Sequence, residues 1–161
     1  MATLRRSIVT SILFTLFGGP GVVLLLFPFA ITRFRLPVSQ PRWLLAIAAS
    51  LIFLGLVPLL ESIVRFVRIG RGTLMPNVPT ERLVASGLYR WVRNPMYVGD
   101  LAVLLGEALL FQSRGMLLYI LLIAFGFHLF IRHYEEPTLR KRYGPEYADY
   151  CNRVPRWWPR F

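Results

Sequence analysis

Two short stretches of the chain contain most of the residues whose types and spacing could do chemistry. Residues 86–99 read SGLYRWVRNPMYVG, and residues 135–150 read EEPTLRKRYGPEYADY. The adjacent carboxylates of Glu135 and Glu136 can accept hydrogen bonds from hydroxyl or ammonium groups, whereas the guanidinium of Arg93 can hold a carboxylate. The tyrosines of both stretches combine an apolar ring with a polar tip.

Each of these features also has a purely structural interpretation. The paired carboxylates could form salt bridges with arginines that follow or precede them, and any single tyrosine could anchor the chain at the membrane interface. The arginines concerned are Arg132, Arg140 and Arg142.

The apolar sequence between the two stretches contains three further ionisable residues. Asp100 and Glu107 are seven residues apart and therefore lie on one helical stripe, and His128 lies in the following apolar run. Ionisable groups inside a membrane span are costly unless they face a partner or a wet cavity. Each is therefore a candidate for function or for an interhelical hydrogen bond, although Asp100 could simply be solvated at a helix end.

Taken in order, the two stretches resemble the isoprenylcysteine carboxyl methyltransferase and phospholipid methyltransferase superfamily of integral membrane enzymes. The family pattern is roughly G-x-Y … R-H-P-x-Y-x-G, followed by E-E-x-x-L-x-x-x-F/Y-G-x-x-Y-x-x-Y. The chain matches it from Gly87 to Tyr150. Either motif alone is a weak signal, but the two together, separated by one helical hairpin, are specific. Residues 1–65 share only their apolar character with the family.

One position departs from the family pattern. Asn94 stands where many members have histidine. An asparagine side chain can donate and accept hydrogen bonds but does not titrate. The resemblance therefore implies a hydrogen-bonding role for Asn94 and disfavours a proton-shuttling one.

The resemblance also implies S-adenosylmethionine as the cofactor. Its zwitterionic tail and ribose hydroxyls would be held by Arg93 and by Glu135 or Glu136, and its adenine or sulfonium would contact tyrosine rings. The cofactor-binding residues implied in this way are Gly87, Leu88, Tyr89, Arg93, Asn94, Pro95, Tyr97, Glu135, Glu136 and Tyr147. The catalytic residues implied are Glu136 and Arg153.

The reaction implied is an in-line displacement, in which the protein mainly aligns donor and acceptor and excludes water. A carboxylate or thiolate acceptor needs no base, but an amine must lose a proton, and Glu136 or Glu135 would then be the nearest base. Arg153 or Arg156 could orient an anionic acceptor. Prenylated cysteine, phospholipid amine and small thiol all stay open as acceptors.

The elements that must position these residues are predicted to be membrane helices. The chain has 161 residues, of which 55% are apolar, and a mean hydropathy of +0.52. Such values are typical of a single membrane domain. Apolar runs at 8–31, 43–63, 98–112 and 115–131 predict helices, the last two at or below the usual spanning length. The expected fold is all-α: a polytopic membrane helix bundle of about four spans with a cytoplasmic C-terminal helical segment.

The domain organisation follows from these runs. Residues 1–161 are expected to form one membrane domain. Within it, residues 1–65 supply two N-terminal spans, and residues 66–161 form the motif-bearing methyltransferase core around a helical hairpin at 98–131.

Local signals refine the helix predictions. The GGPG sequence at 18–21 predicts a kink or a broken helix. Glu61 is expected to pair with Arg65, one turn further on. Pro137 argues against a straight helix from His128 through Tyr147, because the residue before a proline avoids the helical region.

The charge distribution predicts the orientation in the membrane. Arginine supplies 18 of the 19 basic residues, and the formal net charge is +11. Most arginines flank the apolar runs, which is typical of membrane helices and not of a nucleic-acid-binding face. With four crossings, 15 basic residues fall on one side and 4 on the other. The positive-inside rule then predicts cytoplasmic termini, and the scarcity of lysine suggests a bacterial inner membrane.

The predicted partners are the lipid bilayer and a lipophilic or small-molecule methyl acceptor, with no nucleic acid and no obligate protein partner. No metal site is predicted, because His128 and His133 are five residues apart and do not share a helical face. The single cysteine, Cys151, is expected to be inert or interfacial.

Two other functional classes stay open at this point. One is an NADPH-dependent membrane reductase of the sterol-reductase type, because some of these resemble the same C-terminal half, although they are usually much longer. The other is a non-catalytic membrane protein whose polar residues only join helices.

Overall fold

The structure, a computed structural model, describes residues 19–69 and 82–159 together with Leu13. These residues form helices and no strand, which confirms the predicted all-α fold. A 3-10 turn, Gly87–Arg90, precedes the third helix. In chain order the helices are α1 (Gly19–Thr32), α2 (Arg42–Arg68), α3 (Pro95–Phe111), α4 (Arg114–Tyr143) and α5 (Pro145–Arg153).

Two of the described helices, α2 and α4, are long and apolar enough to cross a membrane. The candidate spans are Arg42–Phe66, with 25 residues, and Arg114–Tyr143, with 30 residues. With 17 residues, α3 is as short as the third apolar run predicts. Within α1 a π-helical turn, Val22–Leu26, follows the glycine and proline residues. Most of the predicted first run before residue 19 lies outside the described residues.

The helices α2 and α3 pack backbone against backbone, because glycines meet where they cross. A Cβ atom built on Gly55 would lie 2.6 Å from the carbonyl oxygen of Gly99, and one built on Gly106 would lie 2.7 Å from that of Ala48. Small residues allow this close approach between helices in a membrane. The order of the contacts makes the two helices antiparallel, so the C-terminal end of α2 lies beside the N-terminal end of α3.

The hairpin between α3 and α4 is as tight as the sequence predicts. Gln112 ends α3 in the left-handed region, with φ 47°, and Ser113 caps α4 by accepting a hydrogen bond from the backbone N–H of Met116 at 3.3 Å. Leu104 and Met116 are fully buried on facing sides of this hairpin. Leu24 of α1 packs into the same core.

The chain stays helical through Pro137, although the sequence argued against a straight helix across this proline. A π-helical turn, Ile131–Glu135, lies just ahead of the proline, and the N–H of Glu136 donates to the carbonyl of Ile131. The wider turn accommodates a residue that lacks its own N–H. The interruption before Tyr147 comes instead at Gly144, whose φ is 54°.

Candidate functional site

The segment that leads into α3 is tied to the C-terminal end of the described chain. The backbone N–H of Arg93 donates to the carbonyl of Pro155 at 2.9 Å. The side-chain amide of Asn94 donates to the carbonyl of Arg156 at 3.1 Å. Asn94 therefore has the hydrogen-bonding contact that its chemistry predicts. Proline at the first position of α3 fixes the helix start beside it.

A buried carboxylate held by two guanidinium groups forms the centre of the site. Arg93 Nη1 lies 3.0 Å from Glu136 Oε1, and Arg156 contacts both oxygens of Glu136, at 2.7 and 2.8 Å. The Glu136 side chain is 10% exposed. Its hydrogen bond with Arg156 also raises the pKa of that guanidinium. Glu136 thus pairs with Arg93 and Arg156, and not with the arginines nearest in sequence.

Glu135 faces a different neighbour from Glu136. The hydroxyl of Tyr97 donates to Glu135 Oε2 at 3.0 Å. The Tyr97 ring packs on Phe127 with a centroid separation of 4.6 Å. Successive helical residues point about 100° apart, so one carboxylate turns to α3 and the other to the arginines.

Three buried tyrosines form one wall of the site. The hydroxyl of Tyr89 donates to Ser62 Oγ at 3.1 Å, and that of Tyr150 donates to the carbonyl of Tyr89 at 2.7 Å. Tyr147 packs beside Tyr150. Burial raises the pKa of all three hydroxyls well above the usual tyrosine value. They stay protonated at neutral pH and can act as hydrogen-bond donors.

These groups border a small cleft of about 70 Å³, which is called the polar cleft after its charged residues; Phe66, Leu83, Val84 and Leu139 also line it. Arg93 Nε is buried at the cleft and has no hydrogen-bond partner among the described residues. Arg93 Nη1 also donates to Cys151 Sγ at 2.9 Å. The cleft is lined by side chains that include Tyr89, Arg93, Asn94, Glu135, Glu136 and Tyr147.

The cleft fits the charged end of an adenosyl amino acid. An unpartnered guanidinium N–H of Arg93 suits a carboxylate, and the carboxylate of Glu135, which has one tyrosine donor, suits an ammonium group. Its volume is well below the roughly 300–1,000 Å³ of typical ligand pockets. A cleft of this volume accommodates only part of a cofactor.

An apolar groove of about 620 Å³ is lined in part by residues that follow, in sequence, two residues in contact with the cleft. Val98 follows Tyr97, which contacts Glu135, and Trp157 follows Arg156, which contacts Glu136. The groove is lined by Leu51, Val98, Leu101, Ala102, Leu105, Ile120, Ala124, His128, Trp157 and Trp158.

The structure brings together most, but not all, of the residues singled out from the sequence. Arg153, predicted as a catalytic residue, lies apart from the others: it is exposed and donates to the carbonyl of Asp149 in its own helix, at 3.3 Å. Arg156, three residues on, lies in the site, because α5 ends at Arg153 and the chain then turns back. Gly87, Leu88 and Pro95 do not line the cleft and contribute backbone geometry. Tyr97 does not line it either but contacts Glu135.

The ionisable residues of the hairpin do not join the cleft. Asp100 and Glu107 are buried in α3, 2% and 8% exposed, and line neither the cleft nor the groove. His128 lines the groove. Among residues 19–69 and 82–159, no three side chains of the metal-binding types cluster together.

Several residues of the site were not identified from the sequence. Ser62 and Cys151 contact predicted site residues, yet nothing in their spacing marks them. Tyr150 is the last tyrosine of the second motif, but it was not named as a site residue. Arg156 was weighed only as a group that orients an acceptor, and not as a partner of Glu136.

Comparison with known families supports the resemblance. The family model described as phospholipid methyltransferase matches residues 43–146, from the first turn of α2 into α5. The match confirms the resemblance found in the two motifs. No solved structure matches the chain.

Proposed function

Because the chain belongs to the phospholipid methyltransferase family, we propose that it is an integral membrane enzyme that methylates a lipophilic acceptor with S-adenosylmethionine. The observation that carries the proposal is the contact between the two motifs. Arg93 from the first motif and Glu136 from the second meet in a buried ion pair, beside a guanidinium N–H that has no partner among the described residues.

We assign the cofactor's charged end to the polar cleft. Arg93 would hold its carboxylate through Nε, and Glu135 would accept from its ammonium group. When bound, S-adenosylmethionine supplies a methyl group on a cationic sulfur, open to in-line displacement. The buried rings of Tyr89 and Tyr147 would contact adenine or the sulfonium and keep water out.

Glu136 is better suited to positioning than to proton transfer. Two guanidinium groups hold its oxygens at 2.7–3.0 Å, and such contacts favour the charged form of a carboxylate. Glu136 would fix Arg93 and Arg156 in place. If the acceptor is an amine, Glu135 is the carboxylate of the pair with fewer donors and would accept its proton.

The groove favours a lipophilic acceptor over a small one. Nine of its ten lining residues are hydrophobic, and most of them belong to α3 and α4. An acceptor with a hydrocarbon chain would lie in the groove with its reactive end at the cleft. The excess of basic residues at this end of the helices supports a cytoplasmic orientation of the cleft.

Calorimetry on the detergent-purified protein tests the proposal. Titration with S-adenosylhomocysteine should give saturable binding, and titration with NADPH should give none. Saturable NADPH binding would instead support the reductase, and the absence of binding to either would leave a non-catalytic helix bundle.

A further inference from the structure

The C-terminal end of α2 holds the Gly87–Arg90 turn through an ion pair that belongs to neither motif. Arg65 Nε contacts Glu61 Oε1 at 2.6 Å, one helical turn away, which confirms the predicted pair. The same Arg65 donates through Nη1 to Ser86 Oγ at 2.9 Å. The backbone N–H of Leu88 points to the Glu61 carboxylate, 3.3 Å from Oε2. Each member of the pair therefore binds both its helical partner and the turn.

Gly87 is the point at which this contact is closest. Its φ is +61°, a conformation that favours glycine, and a Cβ atom there would collide with the Arg65 guanidinium. The family resemblance implies a cofactor-binding role for Gly87, but its missing side chain makes room for Arg65. Gly87 is not among the residues that line the cleft.

Two rings continue the contact into the site. Tyr89 packs on Phe66 of α2 with a centroid separation of 5.8 Å, and its hydroxyl donates to Ser62. On its other side the carbonyl of Tyr89 accepts from Tyr150. Arg93 lies four residues further along the chain. The position of the turn therefore fixes where Tyr89 and Arg93 enter the cleft.

We infer that Glu61 and Arg65 are positioning residues of the cofactor site, acting through the Gly87–Arg90 turn. The inference rests on the proposed function. Both side chains are 25% exposed, and an i,i+4 ion pair of this exposure contributes little to stability. Its loss should therefore change the site more than it changes the fold.

The test compares Arg65→Met and Glu61→Ala with Arg68→Met, which removes an exposed charge from the same end of α2. We expect Arg65→Met and Glu61→Ala to weaken S-adenosylhomocysteine binding by about tenfold in calorimetry. The Tm of both should stay within about 2 °C of the wild type, since an exposed pair is weak. Arg68→Met should bind like the wild type. In a methyl-transfer assay, KM for the cofactor should rise while kcat is kept.

Conservative variants and a double mutant separate positioning from folding. Glu61→Gln keeps an oxygen that can accept from Leu88 and should restore part of the affinity lost in Glu61→Ala. If Gly87 makes room for Arg65, Gly87→Ala should weaken binding less in an Arg65→Met background than in the wild type.

The outcomes are distinguishable. A wild type that binds no S-adenosylhomocysteine overturns the proposed function, and this inference with it. A wild type that binds, with Arg65→Met and Glu61→Ala binding equally well, overturns the inference alone. If every variant lost both affinity and Tm, and Glu61→Gln recovered neither, the pair would have a structural role only and the inference would be overturned.

Discussion

The polar cleft and the apolar groove both use residues of α2 and α4, yet they differ in volume and in the charge of their lining. The cleft has a volume of about 70 Å³, and its Glu136 carboxylate is held by the guanidinium groups of Arg93 and Arg156. The groove offers about 620 Å³ with hardly any polar surface. Arg156 contacts Glu136 of the cleft, and the next residue, Trp157, lines the groove. Charged and apolar surroundings are therefore one residue apart along the chain.

The largest effect is expected from removing the residue that joins the two motifs. Arg93→Met leaves Glu136 with one guanidinium partner and removes the N–H assigned to the cofactor. We expect a loss of S-adenosylhomocysteine affinity of roughly hundredfold, together with a lower Tm. Arg153→Met, which removes an exposed guanidinium outside the site, should change neither. Wild-type affinity in Arg93→Met would remove the cleft from the cofactor site.

The two adjacent glutamates should separate stability from binding. Glu136→Gln leaves two largely buried guanidinium groups without a charged partner and should cost about 3 kcal/mol of unfolding free energy, with weakened binding. Glu135→Gln keeps an oxygen for Tyr97 and should leave stability nearly unchanged while it weakens binding about tenfold. Thermal unfolding measures the stability of the two variants, and calorimetry measures their affinity for S-adenosylhomocysteine. The roles assigned here would be wrong if Glu135→Gln proved the more destabilising variant.

A substitution in the groove should act on the acceptor and spare the cofactor. Ala124→Leu adds side-chain volume to the α4 wall. Turnover of a long-chain lipid acceptor should fall about tenfold, as expected for overpacking, with S-adenosylhomocysteine affinity unchanged. Ala148→Leu, on the exposed face of α5, is the matched control. A loss of cofactor affinity in Ala124→Leu would mean that groove and cleft bind the same ligand.

The smallest effect is expected at the position that departs from the family. Asn94→His keeps a donor for the carbonyl of Arg156, so cofactor affinity should stay within about threefold of the wild type. Calorimetry at a pH above the histidine pKa keeps the new side chain neutral. Complete loss of binding would show that Asn94 does something that a histidine cannot.

The chemistry of the site could be predicted further from the sequence than its geometry. Glu135, Glu136, Arg93 and Tyr97 were expected together, because the two motifs flank one hairpin and must meet at its open end. Which arginine reaches Glu136 could not be predicted. The outcome depends on where α5 ends and how the chain folds back after Val154, and this is a tertiary contact with no local signal.

The fold, like the site, could be predicted only in part from the sequence. Apolar runs predict α2, α3 and α4 well, because each of these helices contains a long continuous apolar sequence. The π-helical turn before Pro137 has no comparable signal in the sequence. A proline by itself predicts the end of a helix and not a wider turn within it. The contact between Arg65 and Gly87 depends on the antiparallel packing of α2 and α3, which a single sequence does not reveal.

Amide hydrogen exchange, measured on the detergent-purified protein with and without saturating S-adenosylhomocysteine, tests the central claim most directly. If the two motifs form one cofactor cleft, the ligand should slow exchange both in residues 86–97 and in residues 135–156. Slower exchange in one of these segments alone, or in neither, would contradict the account.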